Sequence, residues 1–372
     1  MQLISGEQAS RIYRVSTPQR TYPVLVEREC LVKIAEFISP DGTKPGKIFV
    51  VTTRDVWELH GAKVRAALDA RVFQTLFFAG AEENKRLEHV ERLAVQMSEG
   101  GADRSSVVVA FGGGIVTDLG GFLASIFMRG IPVVQVPTTL LAQVDAAVGG
   151  KTGTNLVTGK NLIGTFHQPL AVLIDPSVLA TLPEREYRAG LYEIVKTGVI
   201  ASEPLFRLLA ERRGDVLAQN PQVVDRIVAE SVRIKAEVVS SDERENGLRK
   251  ILNFGHTFGH ALEAETSYKT FLHGEAVSWG MRAATYLALD LGMLKSPEFS
   301  EIIGILDVYG PIPSTGAISA QALQARLVKD KKTIQGRIHF VLPVRIGEVA
   351  VRADIAPGPV AAAIECALAD CR

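Results

Sequence analysis

The sequence predicts a two-domain α/β protein, with a parallel sheet flanked by helices in its N-terminal half and a mainly helical C-terminal half. Three observations carry this. β-Branched runs alternate with helix-period stretches as far as residue 175. Helix-period sequence then dominates from about Glu184 to Asp290. The chain of 372 residues is long enough for two domains of ordinary size.

In chain order, KIFVVTT (47–53) is a β-branched run followed by a helical stretch, and VFQTLFFAG (72–80) reads as the next strand. NKRLEHVERLAVQMSEGG has apolar residues near the helical period and stops at two glycines. SSVVVAFGGG is a strand running into a glycine turn, IPVVQVP is the next strand, and the pattern changes after AVLID (171–175). Pro176 and Pro183 punctuate a short connector, and GRIHFVLPVRIGEVAVRAD near the end has the pattern of a hairpin. These readings divide the chain into an α/β domain over 1–176 and a mainly helical domain over 177–372. The cleft between two such domains is a favoured place for a site.

Composition narrows the function classes. Basic and acidic residues balance, 41 against 41, which predicts no broad nucleic-acid or anionic-membrane surface and leaves room for a local basic pocket. Cys30, Cys366 and Cys371 contain no CxxC pair and form a poor disulfide framework, as expected of a reducing compartment. No run reaches the roughly 18 apolar residues of a membrane span. A soluble, cytoplasmic protein is the expectation.

FGGGIVTDLGG follows a strand and opens a helix, a geometry that aims backbone N–H groups at an anion. The dinucleotide fingerprint GxGxxG would need glycine where Thr117 stands, so a plain strand–helix turn is the competing reading. VGGKTG (148–153) resembles the tail of a P-loop, but Asp145 occupies the position of its first glycine. Lys151, Lys160 and Asn161 crowd the same stretch. Together with Asp145 they suit a polar or phosphorylated ligand, against the alternative of a solvated basic loop.

LNFGHTFGHALE places His256 and His260 one helical turn apart, and His273 follows beside Glu275. HxxxH is a metal-ligand spacing, although Thr257 stands where a zincin carries glutamate. Three neighbouring histidines point to a metal more than to isolated core or surface residues. Spacing leaves open whether His260 is a ligand or an acid–base group beside the ion, and it names no further ligand.

Seven ordered blocks carry a resemblance over about Lys47 to Ile346. They are FGGGIVTDLGGFLASIFMRG, QVPTTLLAQVDAAVGGKTGTN, GKNLIGTFHQP, LPEREYRAGLYEIVKTGVI, DERENGLRKILNFGHTFGHALE, LHGEAVSWGM and KDKK. Together they resemble the 3-dehydroquinate synthase family of sugar phosphate cyclases. The resemblance implies a Rossmann-like N-terminal domain, NAD, one divalent ion (Zn or Co) and a homodimer. It implies conversion of 3-deoxy-D-arabino-heptulosonate 7-phosphate to 3-dehydroquinate and phosphate. In that reaction NAD⁺ oxidises the C5 carbinol, the ketone acidifies the C6 proton, and phosphate is eliminated. Hydride then returns, the ring opens, and an intramolecular aldol step closes the carbocycle.

The resemblance also implies residue roles. Glu193, His256 and His273 match the metal ligands, leaving His260 beside the ion as a proton relay. Gly113, Gly114 and Asp118 match the pyrophosphate loop, Thr138 and Thr139 nicotinamide contacts, and Glu82 and Lys85 the adenosine ribose. Lys160 is grouped with the cofactor contacts. Asp145 and Lys151 match positions touching nicotinamide and substrate. Asn161, Lys196, Lys235, Arg249, Asn253 and Lys331 match the substrate pocket, with Arg249 the planar fork for a carboxylate. Arg129 matches a phosphate contact made across the subunit interface. Thr53 stands where the family usually has Asp or Asn on a ribose hydroxyl, which weakens the expectation for NAD affinity and NAD-over-NADP preference. Three rival readings remain: an iron- or glycerol-type polyol dehydrogenase, whose usual GTGSE is replaced here by LLAQVDAAVGGK; a sister cyclase; and an inactive relative.

Overall fold

The structure, a computed structural model, describes residues 11–39, 45–68, 71–329 and 337–371. These form two compact units. One is Met1–Leu182 with Val224–Glu243, and the other is Pro183–Val223 with Arg244–Arg372.

The first unit opens with a hairpin, β1 (Arg11–Ser16) and β2 (Thr21–Val26), and a short helix α1 (Ile34–Phe37). Strand–helix pairs follow: β3 (Ile48–Thr52), α2 (Arg54–Ala67), β4 (Phe73–Phe77), α3 (Leu87–Glu99), β5 (Val107–Gly112), α4 (Gly114–Ile126) and β6 (Val133–Pro137). A second hairpin, β7 (Lys151–Leu156) and β8 (Gly159–Phe166), precedes β9 (Ala171–Ile174). Seven strands form one sheet in the order β1-β2-β9-β6-β5-β3-β4, parallel from β2 onward. A parallel sheet buried on both faces needs continuous apolar strands, and β5 is one: every residue from Val107 to Gly112 is buried. The pleat sends Val107, Val109 and Phe111 to one face, with Ile34 and Val64. It sends Val108 and Ala110 to the other, with Leu93, Leu119 and Leu123.

The chain runs from β3 out to β4 and then back past β3 to β5, so strand order reverses between β3 and β5. In open α/β sheets ligands bind at the strand carboxyl ends around such a reversal.

The second unit begins with α5 (Glu184–Ala201), α6 (Glu203–Glu211) and α7 (Arg213–Leu217). Helix α8 (Pro221–Ser241) then returns the chain to the first unit from Val224 onward. There Arg28 pairs with Asp225 at 2.9 Å, and Gln168 donates to Glu243 at 2.8 Å. The second unit resumes with α9 (His256–Glu265), α10 (His273–Asp290), α11 (Ser296–Val308), α12 (Ala320–Lys329), the hairpin β10 (Phe340–Arg345) and β11 (Glu348–Arg352), and α13 (Pro357–Ala369).

Helix α10 is the axis of this unit. It runs from His273 to Asp290, and its Trp279 is fully buried, donating to the Ala367 carbonyl of α13 at 3.2 Å. Its neighbours approach at backbone range. A Cβ on Gly274 would lie 1.9 Å from the Ala189 carbonyl oxygen of α5, and one on Gly280 would lie 1.9 Å from the Gly255 carbonyl beside α9. Among the described residues no helix is long and apolar enough to cross a membrane.

Candidate functional site

Five of the sequence-predicted cofactor residues lie at the carboxyl ends of three adjacent strands. Thr53 follows β3, Gly113 and Gly114 follow β5, and Thr138 and Thr139 follow β6. Gly114 is the first residue of the 13-residue α4, and no side chain caps that helix. Its first N–H groups therefore have no capping side chain in competition with an anion. A Cβ on Gly113 would sit 3.0 Å from the Thr139 methyl, so residues larger than glycine crowd this turn. Thr139 Oγ1 accepts the Ala142 N–H at 3.2 Å. Thr53 is the N-terminal flank of α2 and makes no side-chain cap there.

A second group gathers around Lys85, which is 3 % exposed. Its ammonium donates to Asp118 Oδ2 at 2.5 Å and Asn161 Oδ1 at 2.6 Å. Burial pushes the Asp118 carboxyl up while the Lys85 charge pulls it back. Glu82 accepts from Asn155 Nδ2 at 2.7 Å and faces Lys160 at 3.9 Å, and Asn155 Oδ1 accepts the Asn161 N–H at 2.8 Å. Glu82, Lys85, Asp118, Lys160 and Asn161 thus share one polar network. Asn155, inside the quoted KTGTN block, is the connector that reading by residue role passed over.

Asp145 lies on a π-helical turn, Ala142–Ala146, an irregularity frequent at functional sites. Its carboxylate pairs with Lys235 of α8, whose ammonium also donates to the Asp145 carbonyl at 2.6 Å. Lys151 begins β7 and is exposed. A P-loop lysine would open a helix, so the strand here removes that reading. Arg129 is exposed on the turn after α4, where Met128, Arg129 and Gly130 all have positive φ (48°, 72° and 117°).

The metal candidates converge in the second unit. Glu193 on α5 is 1 % exposed, and His256 and His273 are the first residues of α9 and α10. His256 Nε2 lies 3.6 Å and His273 Nε2 3.8 Å from Glu193 Oε1. One donor atom from each of the three falls within 4.8 Å of the others. Tetrahedral ligands at zinc distances stand roughly 3.4 Å apart, so this donor set fits a divalent ion with small adjustment. The backbone carbonyl of Phe254 lies 3.1 Å from His256 Nδ1, which assigns the proton to Nδ1 and the lone pair to Nε2. Lys196, 2 % exposed and one turn along α5, forms an ion pair with Glu193, although neither carboxylate oxygen receives a well-angled hydrogen bond. His260 is stacked on His273 with ring centroids 5.8 Å apart, and it is not in the group that contains Glu193.

Arg249 is 2 % exposed on the 3-10 segment Leu248–Asn253, and Asn253 donates to Glu245. Glu245, in the quoted DERENG stretch, and Glu263, one turn beyond His260, are carboxylates at the site that the sequence reading did not single out. Lys331 lies outside the described residues.

Comparisons with known proteins agree with one another. The family model described as 3-dehydroquinate synthase N-terminal matches residues 75–189, and the one described as 3-dehydroquinate synthase C-terminal matches residues 190–333. A 3-dehydroquinate synthase of Solibacter usitatus (strain Ellin6076) is 62 % identical over 357 residues, covering 96 % of this chain and 99 % of that one. The solved structure of ValA, a 2-epi-5-epi-valiolone synthase from Streptomyces hygroscopicus subsp. jinggangensis 5008 with NAD⁺ and Zn²⁺ bound, superposes with a TM-score of 0.86 at 29 % identity. It covers 96 % of this chain and 100 % of that one. A 2-deoxy-scyllo-inosose synthase complexed with carbaglucose-6-phosphate, NAD⁺ and Co²⁺ shares the fold, with a TM-score of 0.85 at 23 % identity, covering 95 % of this chain and 99 % of that one.

Proposed function

Because the chain belongs to the 3-dehydroquinate synthase family, we propose that it converts 3-deoxy-D-arabino-heptulosonate 7-phosphate to 3-dehydroquinate and phosphate with the residue groups described above. The observation that carries the reaction is the 62 % identity extending over 96 % of the chain. The polyol dehydrogenase and the sister cyclase are not favoured.

The N-terminal unit holds NAD at the carboxyl ends of β3, β5 and β6, with Gly113, Gly114, Thr138, Thr139 and Thr53 nearest the strands and the Glu82–Lys85–Asp118 network beyond. Glu193, His256 and His273 hold one divalent ion, Zn or Co, since an N₂O donor set suits both. When bound, NAD supplies a reversible hydride acceptor, and the ion supplies Lewis acidity toward the substrate hydroxyls.

The remaining work belongs to the side chains. Arg249 presents a rigid fork to the substrate carboxylate. Asp145, Lys151, Asn161, Lys235, Asn253 and Lys331 orient the hydroxyls and the phosphate. Lys196, held against Glu193, keeps a positive charge in a buried place where oxyanions develop. His260 receives and returns a proton at its imidazole. The working form is a cytoplasmic homodimer in which Arg129 reaches a phosphate in the partner's site. The exposure of Arg129 on a left-handed turn supports that assignment.

The decisive experiment supplies the heptulosonate phosphate with and without NAD⁺ and metal, measuring phosphate, dehydroquinate and reduced nucleotide. The expected result is phosphate and dehydroquinate in equal amounts, dependence on both additions, and no net NADH. Accumulating NADH without phosphate release would establish a dehydrogenase instead.

A further inference from the structure

We propose that Glu263 is a positioning residue for the metal centre: its carboxylate accepts the Nδ1 proton of His273 and holds that ring with Nε2 toward Glu193. The inference rests on the Glu193–His256–His273 site proposed above.

The geometry places the His273 ring between two carboxylates. Its Nε2 is 3.8 Å from Glu193 Oε1, and its Nδ1 is 3.4 Å from Glu263 Oε2. The second contact is longer than the roughly 2.7–3.2 Å of an ordinary N–H···O bond, so it is a weak hydrogen bond. A neutral imidazole carries one N–H, so placing it on Nδ1 leaves the Nε2 lone pair facing Glu193. His256 reaches the same tautomer through the Phe254 carbonyl. Both ligand histidines would thus be fixed from behind, one by a backbone acceptor and one by a carboxylate.

Glu263 is built for this. It lies seven residues after His256 on α9, two turns along the same face, and it is 1 % exposed. A carboxylate this buried is retained where it is hydrogen-bonded or paired.

His260, Glu263 and His273 form a second group whose donor atoms lie within 4.8 Å of one another. That group could be taken for a metal site of its own. The two groups share His273, however, and one ring gives lone pairs from both nitrogens only as an imidazolate. Reading Glu263 as the acceptor for His273 uses the ring once and leaves a single ion site.

The test compares the whole enzyme with Glu263→Gln and Glu263→Ala. Zn²⁺ affinity is measured by competition with a chromogenic chelator, Co²⁺ absorption reports the ligand field, and the melting temperature of metal-free protein reports folding. The wild type should bind one Zn²⁺ per chain. Glu263→Ala should bind one Zn²⁺ with a Kd raised roughly 10–100-fold, as for lost outer-shell partners of metal-bound histidines. Glu263→Gln, which keeps an uncharged acceptor, should fall between, with an altered Co²⁺ spectrum and an unchanged metal-free melting temperature. If the alanine variant does not fold, the glutamine variant carries the comparison. Unchanged Zn²⁺ affinity and Co²⁺ spectrum in the folded variants would overturn the proposal, as would a second Zn²⁺ in the wild type that is lost with Glu263. Failure of the wild type to bind Zn²⁺, or full retention in His273→Ala, would instead remove the metal site on which the proposal stands.

Discussion

His256 and His260 stand one turn apart on α9, yet the group of close donor atoms around Glu193 includes His256, whose Nε2 is 3.6 Å from Glu193 Oε1, and not His260. Spacing alone left the choice between them open, because i and i+4 are equivalent on a helix face. The Phe254 carbonyl that orients His256, and a third donor from α5, are not visible in a local motif. His256→Ala should therefore lose metal and activity together. His260→Ala should keep its metal and slow turnover roughly a hundredfold or more, in line with acid–base contributions. Metal analysis of dialysed variants decides between the two, and a metal-free, folded His260→Ala protein would reverse the assignment. Arg249 makes a separate case. Arg249→Lys keeps the charge and loses the fork, so kcat/KM should fall steeply with the natural substrate and far less with an analogue lacking the carboxylate. Equal losses would mean that Arg249 serves another group.

At the scale of elements, the buried parallel strands β3, β5 and β6 were legible because their side chains announce them: each is apolar and largely β-branched. Two hairpins were not. Strand β2 lies in the sheet because it pairs with β9, about 150 residues later, a partner no local window contains. Strands β7 and β8 are rich in Gly, Thr, Asn and Lys and read as a polar loop. They pair because Gly153 and Gly164 let the backbones meet, a Cβ on Gly164 falling 2.1 Å from the Thr152 carbonyl, and because the Thr152 and Thr165 hydroxyls bond at 2.8 Å. The same kind of contact sets the helices that carry the metal candidates. Gly274 follows His273 and touches the backbone of α5, the helix of Glu193. Gly274→Ala should push α10 away from α5, destabilising the protein by about 1–3 kcal/mol or more, as overpacking does. It should also weaken metal binding although it touches no ligand. A variant with unchanged melting temperature and metal affinity would show that the helices have room to spare.

For the molecule as a whole, the assignment of Arg129 to a neighbouring subunit has a direct test. Arg129→Ala and Glu193→Gln should each be nearly inactive. Mixed under conditions of subunit exchange, they should regain activity, because a heterodimer then contains one site with an intact Glu193 and an intact partner Arg129. No recovery from a verified heterodimer would confine Arg129 to its own chain. The path of α8 bears on a different matter, the order of synthesis. The N-terminal unit includes Val224–Glu243, so a ribosome that has released residue 182 has not yet delivered the whole of that unit. The α5–α7 segment emerges before Asp225 and Lys235 can reach Arg28 and Asp145. Domains usually fold in turn as they leave the ribosome. Here the first must wait, partly assembled, until part of the second is made, and a fragment ending at Leu182 should be more protease-sensitive than the same region in the full chain.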